Sequence, residues 1–277
     1  MKIKQRTQVI PTTLDFERVE TGLKQYATDR VCIVYNKNPK AIHKKIAEEI
    51  LEKTKEIVGK KFDIGDEKKV LLIPVDYYHF KDSLVSLYEL FYREKLNDRE
   101  IIVNVGGGTK PVAIATAFAC SLAGIGAPIY FAAKKYKKES VATSEGVAEE
   151  IISKGVIEEP FPIEPLFELE NILPTQKGEI QIIDTLLKNK NAPMNITQIL
   201  ITLGEIPAKL PPGKITSEKE EIKKDKQSKI PRYHRYAQNL EKKRIIEISR
   251  KKVKLTATGE LIGRLLEKKT EIERELA

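Results

Sequence analysis

The sequence predicts an α/β chain in two parts. The first is a Rossmann-like, doubly wound, mainly parallel sheet, and the second is a C-terminal winged helix-turn-helix. Three observations carry that expectation. Continuous apolar runs of strand length, RVCIVY, VLLIPV and IIVNV, alternate with amphipathic stretches through the first half. The pattern then changes to three helical segments, a short hairpin with a basic turn, and a last helix. Charge segregates with that change: residues 1–170 hold 26 Lys+Arg and 26 Asp+Glu, whereas residues 171–277 hold 23 and 14, so the whole formal +9 lies in the later part.

Taken in order, residues 7–11 form a short strand and residues 15–26 a helix with Phe16, Val19, Leu23 and Tyr26 on one face. A buried strand follows at 30–35, then a helix over 39–59 whose stripe is Ile42, Ile46, Ile50 and Ile57. Strand 70–75, helix 80–95, strand 101–105, helix 109–123 and strand 128–132 continue the alternation. Apolar strands separated by amphipathic helices imply a parallel sheet covered on both faces, with its ligand site outside the carboxyl ends of the strands. Residues 140–159 are expected to add an edge strand or hairpin, which closes a first domain over 1–160. Four prolines punctuate the next stretch, and 161–178 is the expected linker.

The second domain is expected over 179–277. Its helices are 179–189, 196–203 and 231–243, the last with Tyr233, Tyr236, Ala237 and Leu240 inward. Between them, 204–229 reads as an extended loop or a solvated helix. Strands 245–249 and 253–255 flank the turn at Arg250, Lys251 and Lys252, and helix 258–269 closes the unit. In a winged helix the third helix enters the major groove and the wing lies near backbone phosphate. The DNA-binding candidates are therefore Arg232, Tyr233, Arg235, Gln238, Lys242, Arg250, Lys251 and Lys252. A basic surface alone would read as a solvated face, but the ordered elements together with the charge segregation, 16 Lys+Arg against 6 Asp+Glu within 209–254, favour DNA binding.

Residues 101–133 contain a single charged side chain, Lys110, which follows Gly106, Gly107, Gly108 and Thr109. A P-loop would need Lys directly after its last Gly, and the dinucleotide fingerprint would need Gly where Pro111 stands. What remains is a strand, a Gly-rich turn and a helix N-terminus, a general anion cradle. Thr109 is expected to cap the helix or to offer its hydroxyl to a ligand. Helix 112–123 is apolar nearly all round and should be buried. Cys32 and Cys120 lack metal-ligand spacing and read as buried reduced thiols. No apolar run reaches about 18 residues and no secretory signal is visible, so the chain reads as soluble and cytoplasmic.

The segment NVGGGTKP resembles the Asn-x-[Thr/Gly]-Gly-Gly-Thr-Lys motif of CARF domains, the CRISPR-associated Rossmann-fold sensors. The opening VIPTTLDFERV is similar to their first strand and ligand loop, and FPIEP followed by a winged helix resembles archaeal CARF-like transcriptional regulators. Gly106, where many members have Thr, and the long insert 204–229 depart from the pattern. The resemblance implies a homodimer in antiviral defence, with a cyclic oligoadenylate effector across the two-fold axis. Carried onto this sequence, the ligand residues are Thr12, Thr13, Leu14 and Asp15, then Asn104, Gly106, Gly107, Gly108, Thr109 and Lys110. Asp76 and Tyr77 should sit at the same rim, where Tyr77 either stacks on a base or is an ordinary rim tyrosine.

No catalytic or metal-binding set is visible. The three histidines, His43, His79 and His234, lack an Arg at the upstream spacing used by related ribonucleases. The expectation is a transcriptional regulator whose DNA binding responds to a nucleotide. The alternative is a nucleotide-processing enzyme, either a slow ring nuclease in which Lys110 stabilises developing charge or an effector that grips RNA or DNA with its basic domain. Ligand ring size, operator sequence and the sign of the response are not written in the residues.

Overall fold

A computed structural model describes residues 4–125, 129–130, 134–135, 156–157, 173–207 and 216–277. The chain divides into two compact units, Met1–Glu170 and Asn171–Glu275. In the first, β1 (Arg6–Pro11), α1 (Phe16–Gln25), β2 (Arg30–Asn36), α2 (Lys44–Gly59), β3 (Val70–Val75), α3 (Phe80–Leu96), β4 (Glu100–Asn104), α4 (Lys110–Leu122) and β5 (Ile129–Tyr130) alternate along the chain. The five strands make one sheet in the order β3-β2-β1-β4-β5, and every pairing is parallel. Val, Ile and Cys dominate the central strands because both sheet faces are covered. Helices α1 and α2 pack together, as do α3 and α4. Ile10, Val31 and Ile33 meet Val19, Leu23, Ile57 and Val58 in one core cluster.

The strand order has a functional consequence. From β1 the chain winds outward to β2 and β3, then returns to place β4 on the other side of β1. The loops after β1 and β4 therefore meet at the switch point on the carboxyl edge of the sheet, where open α/β sheets place their ligand crevice.

Several elements differ from expectation. The helix expected over 39–59 begins as a short 3-10 turn, Ala41–His43, and becomes α-helical only from Lys44. Its stripe is buried only late: Ile57 and Val58 are in the core, whereas Ile42 and Ile46 are exposed. Within 140–159, β7 (Val156–Ile157) pairs antiparallel with β6 (Lys134–Lys135) in a separate ribbon rather than on the sheet edge, and 136–155 lie outside the described residues. Of the expected linker, 161–172 lie outside them too.

The second unit runs α5 (Lys177–Lys188), α6 (Ile196–Thr202), α7 (Thr216–Lys242), β8 (Ile246–Ser249), β9 (Lys252–Leu255) and α8 (Ala257–Leu276). Asn195 and Gln198 close a reciprocal capping box at the start of α6. Met194 forms an isolated antiparallel bridge with Val253, with bonds of 3.1 and 2.7 Å in the two directions. That bridge adds a minimal third strand beside the β8–β9 hairpin, as a winged helix requires. Its sequence signal is a single residue long, too short for any periodicity to mark.

The third helix was expected to start at Pro231, but α7 runs through it from Thr216. Proline removes the N–H that would bond to the carbonyl of Gln227. Both residues are exposed, so water can take that carbonyl. Just upstream, Lys229 holds α7 in place, with Nζ 2.9 Å from the Glu205 carbonyl, 3.1 Å from the Glu205 carboxylate and 3.0 Å from Asp225. Bonds from Asp225 and Glu205 raise the Lys229 pKa above its ordinary value, which keeps the ammonium charged. Residues 208–215 of the expected insert lie outside the described residues.

At the amino edge of the sheet, Glu94 is 1% exposed and accepts from Thr7 Oγ1 at 2.6 Å, Arg30 Nη1 at 2.9 Å and Arg99 Nη1 at 3.1 Å. Removing one member of such a buried set strands the others. Glu94→Ala is expected to cost about 3–5 kcal/mol in chemical denaturation. Lys4→Ala, at the exposed pair with Asp98, should cost no more than about 1 kcal/mol.

Candidate functional site

The crevice is built by three loops that share one buried phenol. Tyr77, just after β3, is 5% exposed, and its hydroxyl donates to the Val34 carbonyl at 2.7 Å. The same oxygen accepts from the Thr12 N–H at 3.0 Å. It also lies 3.0 Å from Thr12 Oγ1. Because a phenol has one proton and it goes to Val34, the Thr12 hydroxyl is the donor in that contact. Burial pushes the Tyr77 phenol well above its ordinary pKa, so it works as a neutral donor. Its position overturns the expectation of a stacking or rim residue: Tyr77 is the pin that ties the ends of β1, β2 and β3 together.

The glycine loop closes onto this pin. The Gly108 N–H donates to the Thr12 carbonyl at 3.0 Å, with φ at +75°. A Cβ on Gly107 would stand 2.3 Å from the Pro11 carbonyl oxygen, so only glycine fits there. Thr109 Oγ1 donates to the Tyr77 carbonyl at 2.8 Å. Thr109 therefore occupies the N-cap position without capping, and its proton is spent inside the protein rather than on a ligand. The first N–H groups of α4 are left without a side-chain cap, a partial positive charge at the mouth of the loop. Lys110 begins that helix, is exposed, and makes no ion pair with another described residue.

Of the other expected ligand residues, Thr13 takes the Asp15 N–H on its hydroxyl at 3.1 Å, and Leu14 is 72% exposed. Asn104 is fully buried; its Oδ1 accepts the Gly106 N–H at 2.9 Å, while Nδ2 has no partner among the described residues. Asp76 is buried and bonded to Asn38 Nδ2 at 3.0 Å and to the Tyr78 N–H at 3.0 Å. Burial pushes its carboxyl up, but the Asn38 amide, the Tyr78 N–H and nearby His79 outweigh that and hold it below its ordinary value. The structure thus brings Thr12, Tyr77, Gly108 and Thr109 into one network and sets Asp76 beside it as a loop brace. Sequence reasoning missed Arg18, which joins the two crevice loops: Nη1 donates to the Gly106 carbonyl at 3.0 Å and Nε lies 2.9 Å from the Asp15 carboxylate. Its place one turn into an amphipathic helix looks like ordinary surface charge.

Helix α4 buries Val112, Ala115, Thr116, Ala119 and Cys120 and packs on α3, but Ile114 is 51% exposed and Phe118 39%. Half of the expected all-round burial is therefore met within the chain and half is left open. Cys32 and Cys120 are buried free thiols, and burial pushes both well above the ordinary thiol pKa. Among the described residues no group of His, Cys, Asp and Glu is arranged to hold a metal ion. No helix among them is long and apolar enough to cross a membrane.

In the second unit Arg232, Arg235, Gln238 and Lys242 are exposed on α7. Tyr233 is not: it is 5% exposed, packs edge-on to Tyr236 and bonds through its hydroxyl to Gln181 Oε1, so it is a core residue and corrects the expectation of a DNA contact. The wing turn places Arg250 at φ +48° and Lys251 at φ +63°. Hairpin turns of this hand ordinarily use Asn or Gly, so two long cations are held there against backbone preference.

A family model described as HFX_2341_N:-like, N-terminal matches residues 6–136, a little under half of the chain. No curated protein matches. Among solved structures, Can2 from Sulfobacillus thermosulfidooxidans in complex with cyclic tetra-adenylate is 14% identical, with 95% of this chain and 64% of that chain covered at a TM-score of 0.35. Csm6 from Enterococcus italicus bound to cyclic hexa-2′-fluoro-hexa-dAMP is 17% identical, with 87% and 58% covered at 0.37. Protein VC1899 from Vibrio cholerae is 10% identical, with 98% and 68% covered at 0.35. This chain spans about three fifths of the length of the first two. At these identities and scores the sheet order and loop geometry of the chain itself, rather than the alignments, carry the assignment of the fold.

If the Tyr77 hydroxyl pins the crevice loops, Tyr77→Phe should leave the buried Thr12 hydroxyl without its acceptor, while the Thr12 N–H and the Val34 carbonyl keep their direct 2.8 Å bond, and cost about 1–3 kcal/mol in denaturant unfolding. Hydrogen exchange at the Thr12 and Gly108 amides should rise with it.

Proposed function

We propose that the chain is a nucleotide-responsive, DNA-binding regulator. Its first unit takes an anionic nucleotide, a cyclic oligoadenylate or a close relative, in the crevice between the β1 and β4 loops. The single observation that carries this is the uncapped start of α4 with the exposed Lys110 beside Gly107 and Gly108, at the switch point of a parallel sheet. Backbone N–H groups, a helix N-terminus and a lysine with no ion pair among the described residues favour phosphate, and glycine lets it approach the backbone. The NVGGGTKP motif supports the choice of cyclic adenylates as probes, and such ligands are named for two of the similar structures.

The second unit binds DNA through the exposed face of α7 and the basic wing. Arg232, Arg235 and Gln238 reach base edges and phosphate, and Arg250, Lys251 and Lys252 neutralise phosphate at the flank. The exposed Ile114 and Phe118 of α4 favour a homodimer through that face, with two crevices brought to one axis. A ligand that binds better to one arrangement of that dimer shifts its population, and DNA affinity changes with it.

A second reading rests on Lys110 as well. An exposed ammonium at a helix start can stabilise charge that develops on a phosphodiester as the adjacent 2′-hydroxyl attacks phosphorus, gives its proton to water and displaces the 5′-oxygen, which takes up a proton in turn, leaving a 2′,3′-cyclic phosphate. In that case the basic unit holds RNA or DNA as an effector. Chromatography of cyclic tetra- and hexa-adenylate after long incubation separates the readings: intact rings support the regulator, and linear products support the nuclease.

In calorimetry with the same two rings, Lys110→Ala should weaken binding by at least about tenfold. DNA affinity without ligand should be unchanged, and loss of both functions together would contradict two separable modules. Arg232→Ala with Arg235→Ala should weaken DNA binding and reduce the slope of log K against log salt by about 2. An unchanged slope would remove that face from the interface.

A further inference from the structure

We infer that Tyr78, with Lys40, forms a nucleobase subsite at the edge of the crevice. The inference rests on the nucleotide reading above and deepens it, because the cradle of α4 recognises phosphate but nothing in it distinguishes a base. Tyr78 follows the buried Tyr77 and is 41% exposed. Lys40, from the segment after β2, holds Nζ 5.3 Å from the centre of its ring. About two fifths of the residue remains open to solvent. Phe118 of α4, 39% exposed, has its ring edge-on to Phe80 at 6.2 Å.

The backbone that presents Tyr78 is braced from four directions. Its own N–H donates to Asp76 Oδ1 at 3.0 Å. The Tyr77 N–H donates to Asn36 Oδ1 at 3.3 Å. The Tyr77 carbonyl accepts from Thr109 of the glycine loop at 2.8 Å, which fixes Tyr78 one residue from the phosphate cradle. The Asp76 carbonyl accepts the His79 N–H at 3.2 Å and the Ser83 hydroxyl at 2.5 Å. A loop this constrained would ordinarily bury its aromatic residues, and it does bury Tyr77. Tyr78 is instead held outward, and ordering it costs little when a ligand arrives.

An aromatic ring on a stiff loop beside a cation is the arrangement that stacks a base and meets its attached phosphate. Every base has a π-face, so the ring supplies affinity, and the Lys40 ammonium supplies charge next to the stacked base. The occupant is therefore a nucleotide lying with phosphate on the α4 cradle and a base on Tyr78. A bare oligophosphate would use only the first half of the site.

The test uses the full chain and two probes, cyclic tetra-adenylate and inorganic tripolyphosphate, by calorimetry. Tyr78→Ala should weaken cyclic tetra-adenylate about 5- to 100-fold and leave tripolyphosphate unchanged, while Tyr78→Phe keeps both affinities. Lys110→Ala should weaken both probes. Thermal unfolding of Tyr78→Ala should match the wild type, since the side chain is open to solvent. Adenylate binding by Tyr78→Ala equal to wild type, with Lys110→Ala still impaired, would overturn the base subsite and leave the phosphate cradle standing. Equal loss of both probes in Tyr78→Ala would overturn it as well, because the ring would then be shaping the cradle rather than reading a base. A wild-type protein that binds neither probe would sink the nucleotide reading and this subsite with it.

Discussion

The crevice depends on one buried hydroxyl. Tyr77 donates to a carbonyl at the end of β2, accepts a backbone N–H just past β1, and offers its own carbonyl to Thr109 at the start of the glycine loop. The Thr12 N–H and the Val34 carbonyl also bond each other directly at 2.8 Å, so the phenol closes a three-way contact and supplies the buried Thr12 hydroxyl with an acceptor, whose loss would cost about as much as a lost hydrogen bond. One side chain joins these groups, and the loops acquire fixed positions relative to one another. Gly107 completes the arrangement, because the Pro11 carbonyl occupies the space where any other residue would place a Cβ.

This division of labour explains why few of the polar groups expected at the crevice are left open there. Thr12, Thr109 and Asp76 spend their hydrogen bonds on the scaffold. What the scaffold exposes is simpler: uncapped N–H groups of α4, the Lys110 ammonium, and the Tyr78 ring with Lys40 beside it. Arg18 acts between the two sets, holding Gly106 while facing the Asp15 carboxylate. Preorganised donors of this kind lose little freedom when an anion binds.

The second unit spends its constraints differently. Tyr233 and Tyr236 fill its interior, the Met194–Val253 bridge closes the hairpin onto the chain before α6, and Lys229 pins α7 ahead of Pro231. The cations left on the surface are those of the exposed α7 face and the wing turn, where Arg250 and Lys251 keep backbone conformations their side chains do not favour. Core and surface roles alternate along α7 with helical period, so one stretch supplies both the packing and the charge.

Much of the architecture was legible in the sequence because it follows from period and composition. Apolar strands between amphipathic helices imply a parallel sheet, and RVCIVY, VLLIPV and IIVNV became β2, β3 and β4. The glycine turn before α4 and the basic turn between β8 and β9 were readable for the same reason, since φ-permissive and charged residues mark such places directly. Local pattern could not decide which of two adjacent tyrosines turns inward: Tyr77 and Tyr78 are identical side chains, and only the Val34 carbonyl, contributed by another strand, selects the first. It also could not show that Pro231 lies inside a helix, that Ile42 and Ile46 lack cover, or that Met194 pairs with Val253, because each depends on groups distant in the chain. Period and composition set the elements, their order and the placement of charge; which polar atoms are consumed in holding loops together, and which stay exposed, follows from groups that only folding brings side by side.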